Sequence, residues 1–389
     1  MRSTRDRHRS VDRRVSVLFF RNPGLVMRIL HLDSGLGWRG GQQQLYYLAD
    51  GMRKIGISQF LAVRKGSPQA ARLGELNLPI MELNLSSEFD VGSLFALAGI
   101  IRRFQPQIIH AHDSRTLGLA AILRATGWEI KIVAARRVAF SIRRNPLWKF
   151  KYSYQASRVI AVSSYVRDLL IREGLPWGKV EVVYDAVDKI PLESKAYRAS
   201  SRKRLGVTDT EFVIGCVGQF TPEKGQEFLI QAYTEILEKY PDCRLALVGD
   251  GDLYWKFQKL LERLGLGHSV ILTGFVSDLD TLLPAVDLLV HPALIEGLGS
   301  VLLKGMANRI PICASSTGGI PELVIEGETG FLFPPGNPKG LAQAVFRARQ
   351  APVLANQQVE RALSRVRSNF LADRMVAETS QIYSNVMDS

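Results

Sequence analysis

Cysteine is scarce in this sequence: Cys216, Cys243 and Cys313 stand alone among 389 residues. An odd, scattered trio excludes a disulfide framework, and without a Cys-x-x-Cys spacing it excludes a cysteine-based zinc site. Three reduced core thiols are expected. Long apolar runs are also missing: none approaches the ~20 residues that cross a bilayer. The early apolar stretch at 15–20 is interrupted by Ser16 and falls short of the ~7–15 residues of a signal-peptide core. These absences predict a cytoplasmic protein. Repeats of fixed period are missing too, which excludes solenoids and propellers.

What is abundant is positive charge, and it is unevenly spread. The net charge is +13, with +5 on residues 1–26, +11 on 27–200 and −3 on 201–389. A basic first half could meet an anionic membrane surface, an acidic glycolipid or nucleic acid. Residues 1–26 are Arg-rich and aperiodic, and read as a disordered extension before Met27. From there Met27-Arg-Ile-Leu-His-Leu reads as a buried strand.

Short apolar strands alternate with helical patterns in both halves. Strands are expected at 28–32, 59–63, 79–83, 107–111, 131–135 and 158–162, then at 212–217, 244–248, 270–273, 287–290, 310–313 and 330–333. Helices fit between them, including 41–55, 91–104, 224–239, 299–307 and 338–350. Such alternation predicts parallel sheets covered on both faces. Residues 188–204 are polar with one proline and read as a linker. The organisation expected is a first domain at 27–187, a second at 205–367, and a final helix at 368–389 that packs back on the first. Two such domains enclose a cleft between strand ends, where ligands bind.

The chemistry-bearing residues cluster in glycine-containing turns after strands. The densest is His291-Pro-Ala-Leu-Ile-Glu296-Gly297-Leu298-Gly299-Ser300, followed by a helix. Free N–H groups at a helix start attract anions, and glycine lets backbone approach a ligand. Read alone, this is equally a plain strand–helix turn with a capping acid. Three further turns follow other strands of the same half: Gly218-Gln219-Phe-Thr-Pro-Glu-Lys224-Gly225, Val248-Gly249-Asp-Gly251 and Gly318-Gly-Ile-Pro-Glu322. Four such turns would line one edge of one sheet.

Together and in this order the turns resemble the family 4 retaining glycosyltransferases, with likeness from Met27 to the C-terminus. The first half agrees: Gly40 and Gly41 lie in a loop similar to the family's glycine-rich loop, and Ile109-His-Ala-His112-Asp113 resembles its histidine motif. The resemblance implies an α/β GT-B fold, two Rossmann-like doubly wound domains facing each other across a cleft. It implies transfer of a sugar from a nucleotide-sugar donor to a glycan or glycolipid acceptor, with the donor a substrate and no cofactor. Catalytic roles fall to His112, Glu296 and Lys224. Donor contacts fall to Gly40, Gly41, Gln219, Gly249, Gly297, Leu298, Gly299, Ser300 and Lys304. No metal is implied, and Asp250-Gly-Asp252, the nearest match to a metal-holding carboxylate pair, reads as a turn. With no nucleophile placed for double displacement, front-face attack by the acceptor hydroxyl is the implied route.

Two positions depart from the family pattern. Lys304 stands where a second glutamate is usual, and Gln219 where an arginine is usual. They imply altered donor choice, charge compensation by Lys304, or lost activity that leaves a nucleotide-sugar or glycan-binding protein. The stretch 136–151 carries six Lys/Arg and no acid, interleaved with aromatics. It suits an anionic membrane interface at the inner face of the cytoplasmic membrane or a phosphorylated glycolipid acceptor, or equally a solvated basic surface over core aromatics. Nucleic acid is disfavoured because no reader motif accompanies the charge. Cell-surface polysaccharide or lipopolysaccharide synthesis is the expected setting.

Overall fold

The computed structural model describes residues 27–192 and 194–388. The extension at 1–26 lies outside them. Seven strands form the first sheet: β1 (Arg28–Asp33), β2 (Ser58–Arg64), β3 (Ile80–Leu83), β4 (Ile108–Ala111), β5 (Lys131–Arg136), β6 (Arg158–Ala161) and β7 (Val180–Val182). Six form the second: β8 (Phe212–Val217), β9 (Cys243–Val248), β10 (Val270–Leu272), β11 (Leu288–His291), β12 (Ile312–Ser315) and β13 (Phe331–Phe333). Every ladder is parallel, with β1 between β2 and β4 and β8 between β9 and β11. The strands are buried on both faces, as β4 and β12 show along their whole length. That is why they read as continuous apolar runs rather than alternating ones.

The strand orders are β3-β2-β1-β4-β5-β6-β7 and β10-β9-β8-β11-β12-β13. Each reverses direction once, at β1/β4 and at β8/β11. Connections leave to opposite faces at these points, so each sheet opens a crevice beyond its strand ends there. The four glycine turns follow β8, β9, β11 and β12 of the second sheet, and Gly40 and Gly41 come after β1 of the first.

Three elements differ from the sequence reading. Strand β7 is only three residues long and too short for periodicity to reveal. A helix at Pro352–Asn369 buries Ala362, Leu363 and Val366. The stretch expected to be a linker contains a helix, Lys195–Leu205. Its Arg202 is fully buried and donates to the carbonyl of Ala285 and the carboxylate of Asp287, both at 3.1 Å. A buried arginine with satisfied partners looks in sequence like a solvated one.

The final helix, Ala372–Met387, shares a core with the first sheet: Met375, Val376, Ile382, Tyr383 and Val386 pack with Tyr47, Leu48 and Met52. Each such side chain, fully buried, contributes about 1.5–3 kcal/mol. The Tyr383 hydroxyl also lies 2.6 Å from Nδ1 of His110. The three cysteines are free and buried, and burial pushes the Cys216 thiol up to about 12.

Candidate functional site

At the β8/β11 opening, β11 ends at His291 and the following loop carries Glu296 back beneath it. The Glu296 Oε2 lies 2.8 Å from His291 Nε2 and accepts from Lys224 Nζ at 2.6 Å. Its Oε1 accepts from the Gly297 N–H at 3.1 Å. Lys224 closes a short 3-10 turn, Pro222–Lys224, which aims its stem across the crevice. The Glu296 side chain is 11% exposed and that of Lys224 25%. Burial opposes ionisation of Glu296, but the Lys224 ammonium and the His291 hydrogen bond outweigh it. They hold the carboxyl well below the usual range. The cluster is thus a preformed anion beside a cation, with Cys216 beneath.

Gly299 has φ +92°, and the helix Ser300–Ala307 starts after it with no side-chain cap and no acid in its first turn. Its first N–H groups lack a side-chain partner. Leu298 is buried in the core below. Gly249 sits in the turn after β9, its N–H donating to the Gly274 carbonyl at 3.0 Å. The Gln219 carbonyl accepts from Gln226 Nε2 at 2.9 Å. Lys304 does not join the cluster. It lies at the far end of its helix, 3.3 Å from Asp280, facing a small recess shared with Tyr47 and Asp188.

Segments that follow strands of the first sheet reach this cluster. Gly40 lies against Ser300, where an added Cβ would come within 2.6 Å of its Oγ. An added Cβ at Gly297 would fall 2.1 Å from the Arg137 carbonyl. Only glycine permits that approach of the two backbones. Ser163 Oγ, after β6, donates to the Gly297 carbonyl at 2.7 Å. Glu322 accepts from the N–H groups of Ser164 at 2.9 Å and Tyr165 at 2.8 Å and from the Tyr184 hydroxyl at 2.9 Å. A carboxylate from the second sheet therefore caps the helix Ser164–Arg172 of the first, where the helix dipole favours negative charge. Arg137 pairs with Asp185, whose carboxyl is raised by burial, with Arg137 opposing and Glu296 reinforcing the shift. Asp185, Ser163 and the capping role of Glu322 escaped the sequence reading. A Ser-Ser pair before a helix signals only an ordinary cap, and the partner is 158 residues away.

His112 is buried beside His31 and His110. His31 Nδ1 lies 3.0 Å from His112 Nε2, and the His110 and His112 rings stack at 4.1 Å. Burial lowers all three, His31 to about 4, so the trio is neutral at pH 7. Among the described residues these three are the one group whose ligand atoms converge, within 4.8 Å of one another. The His31–His112 contact and the Tyr383 hydroxyl on His110 engage three of the six ring nitrogens, while His31 Nε2, His110 Nε2 and His112 Nδ1 are buried with no hydrogen-bond partner among the described residues. Above them, at the β1/β4 opening, lies a cleft of about 900 Å³ lined by the loop after β1, the segment at 86–89 and the start of the helix Ser114–Ala125.

The basic stretch at 136–151 is largely engaged internally. Lys151 is fully buried, pairing with Glu88 at 2.6 Å and the Ser114 carbonyl at 3.1 Å. Arg136 donates to the Phe140 carbonyl, and Arg143 to the Glu173 carbonyl. Among the described residues, no helix is long and apolar enough to cross a membrane.

Residues 198–365 match the family model described as glycosyl transferases group 1, and residues 38–189 match that described as glycosyltransferase family 4. The chain is 30% identical over 242 residues to an uncharacterized glycosyltransferase of Methanocaldococcus jannaschii, covering 61% of this chain and 62% of that one. It thus spans under two thirds of that relative's length. It is 26% identical over 307 residues to the N-acetyl-alpha-D-glucosaminyl L-malate synthase of Bacillus anthracis, covering 77% and 80% of the two chains. In structure it resembles Anabaena HepE, solved with UDP and glucose, with a TM-score of 0.82 over 92% of this chain and 100% of that one. At 24% identity that is a likeness of fold.

Proposed function

The chain belongs to the group 1 and family 4 glycosyltransferases of GT-B fold, and from that premise we propose that it transfers a sugar, with retention and without a metal, from a nucleotide-sugar donor to a glycan or glycolipid acceptor. The observation that carries this reading is the Glu296–Lys224–His291 cluster at the β8/β11 opening, with Gly40, the first residue of the helix Gly40–Lys54, against Ser300 beside it. Lys224 and the N–H groups at 298–300 would hold the donor diphosphate, that of Gly297 being taken by Glu296. Glu296, kept ionised, accepts hydrogen bonds from sugar hydroxyls. His112, kept neutral, completes the site from the first sheet. The acceptor oxygen bonds to the anomeric carbon on the face that the diphosphate leaves. The carbon–oxygen bond to the diphosphate breaks with its electron pair on that oxygen, which takes the hydroxyl proton. Lys224 and the helix start stabilise the charge that builds there, the role a metal would otherwise fill.

This reading sets the enzyme at the inner face of the cytoplasmic membrane in polysaccharide or lipopolysaccharide synthesis. A screen of nucleotide sugars for binding and hydrolysis, with and without EDTA, tests it. Turnover that survives chelation supports the reading, while loss restored by Mn²⁺ or Mg²⁺ refutes its metal-free form. The anomeric configuration of the product tests retention. A second reading, a nucleotide-sugar-binding protein without turnover, is favoured by Lys304, which is held by Asp280 away from the cluster. Donor binding with no hydrolysis or transfer to any acceptor would select it.

A further inference from the structure

The 900 Å³ cleft at the β1/β4 opening is separate from the Glu296 cluster, and its charges are unbalanced. Arg39, Arg64 and Arg115 line it. Arg115 donates to the Ser34 hydroxyl at 3.3 Å. Among the described residues, none of the three has an ion-pair partner. Two acids also line the cleft: Glu88, whose charge Lys151 offsets, and Asp113, which keeps its charge against neutral N–H donors, so three arginines face one uncompensated carboxylate there. Asp113 accepts from the N–H groups of Arg115 and Thr116 at 2.9 Å and of Ser34 at 2.7 Å. Glu88 accepts from buried Lys151 at 2.6 Å and from Asn145 at 2.7 Å. Asp33, beneath the loop, is taken up by Gly35, Gln42 and Gln69.

The backbone adds to the imbalance. The helix Gly40–Lys54 begins at the cleft with Arg39 as its first flanking residue. It has no side-chain cap and no acid in its first turn, so the positive end of its dipole is uncompensated. A helix start usually carries Ser, Thr, Asp or Asn; an arginine there adds charge of the sign that disfavours the helix. Three unpaired guanidiniums in one cavity repel one another, and an anion in the cavity relieves that repulsion. The cleft also has an apolar lip: Leu36 is 60% and Phe89 63% exposed.

We propose that this cleft is the acceptor subsite and that it selects an acceptor bearing an anionic group, a phosphate or carboxylate, held by Arg39, Arg64 and Arg115. The inference rests on the glycosyl-transfer reading above and names the substrate class that such a site takes. Arginine binds these groups through paired, charge-assisted N–H donors, whereas a neutral glycan offers hydroxyl acceptors but no charge to offset the guanidiniums. Leu36 and Phe89 carry the apolar part of the acceptor. The anion could arrive on a soluble metabolite or on a lipid, and the two sources share this chemistry.

The test titrates the full chain, saturated with the nucleoside diphosphate found in the donor screen so that the Lys224 site is filled. One arm uses glycerol 3-phosphate, followed by fluorescence of Trp38, which packs on Arg72. The other uses phosphatidylcholine vesicles with and without phosphatidic acid, followed by sedimentation. The expected result is binding in at least one arm, weakened about tenfold or more by Arg64→Glu and by Arg115→Glu, and weakened by added salt. Arg103→Glu, outside the cleft, leaves it unchanged. Binding in the first arm alone assigns a soluble acceptor, and in the second alone a lipid. Equal binding by the cleft variants and the wild type overturns the proposal, as does no binding by a wild type that does bind donor. A chain that binds no nucleotide sugar instead overturns the glycosyl-transfer reading. Thermal melting of each variant separates lost binding from lost fold.

Discussion

Replacing Lys224 by alanine removes two things at once, and the structure says how to separate them. In the resting chain the ammonium sits 2.6 Å from Glu296 Oε2. In the transition state it would face the departing diphosphate. Loss of a preorganised group aimed at developing charge raises a barrier by about 2–4 kcal/mol, which at 1.36 kcal/mol per decade is roughly 30- to 1000-fold in kcat/KM. Glu296 meanwhile loses its counter-ion but keeps His291 at 2.8 Å and the Gly297 N–H at 3.1 Å. The stability lost is then that of one charge-assisted hydrogen bond, roughly 1.5–3 kcal/mol. Adding Glu296→Gln removes the uncompensated carboxylate, so the double variant regains stability while activity stays low. Steady-state kinetics on the donor from the screen, with denaturant unfolding of the same samples, reads both effects. A Lys224→Ala enzyme within threefold of wild type would remove Lys224 from the mechanism. A double variant no more stable than the single one would refute the electrostatic account of Glu296.

Three further outcomes follow from the same geometry. His31 is held near 4 against an ordinary 6.5, so between those values the unfolded chain binds more protons. Its share of stability is full above 6.5, falls as pH drops, and is reduced by about 3 kcal/mol at pH 4. His110 and His112 act in the same direction, and melting temperature should fall from pH 6.5 to 4; a flat profile would mean the histidines are not buried and neutral. Glu322→Gln should destabilise the fold by about 1 kcal/mol through loss of charge at the helix start Ser164–Arg172, read by denaturation, and should raise KM because the two sheets lose a shared contact; unchanged KM and stability would dismiss that cap. Because Lys304 pairs with Asp280 rather than with the Lys224 cluster, Gln219→Arg and Lys304→Glu should be additive in donor affinity within about 0.5 kcal/mol, and a larger coupling would revive charge compensation.

Much of the architecture was legible because parallel strands buried on both faces leave an unbroken local signature. The apolar run of β1 and the Val-Gly turn after β9 are properties of a few adjacent residues. The four glycine turns were legible for the same reason, since close backbone approach leaves glycine little alternative. What the sequence could not carry was the pairing of distant groups. Polar content at 188–204 predicted a solvated linker, but burial of Arg202 depends on carbonyls and Asp287 that arrive from another part of the chain. The acid-free run at 136–151 looked like an open basic face. Only folding brings Glu88 to Lys151 and Asp185 to Arg137, and so ties these bases into internal contacts. The reverse holds in the cleft, where Arg39, Arg64 and Arg115 are scattered in sequence and converge only because β1, β2 and β4 end side by side. Local periodicity and turn chemistry thus determined the elements and their order. Which charges are spent and which remain free was decided by tertiary structure, because an ion pair is set by distance in space and leaves no trace in sequence spacing.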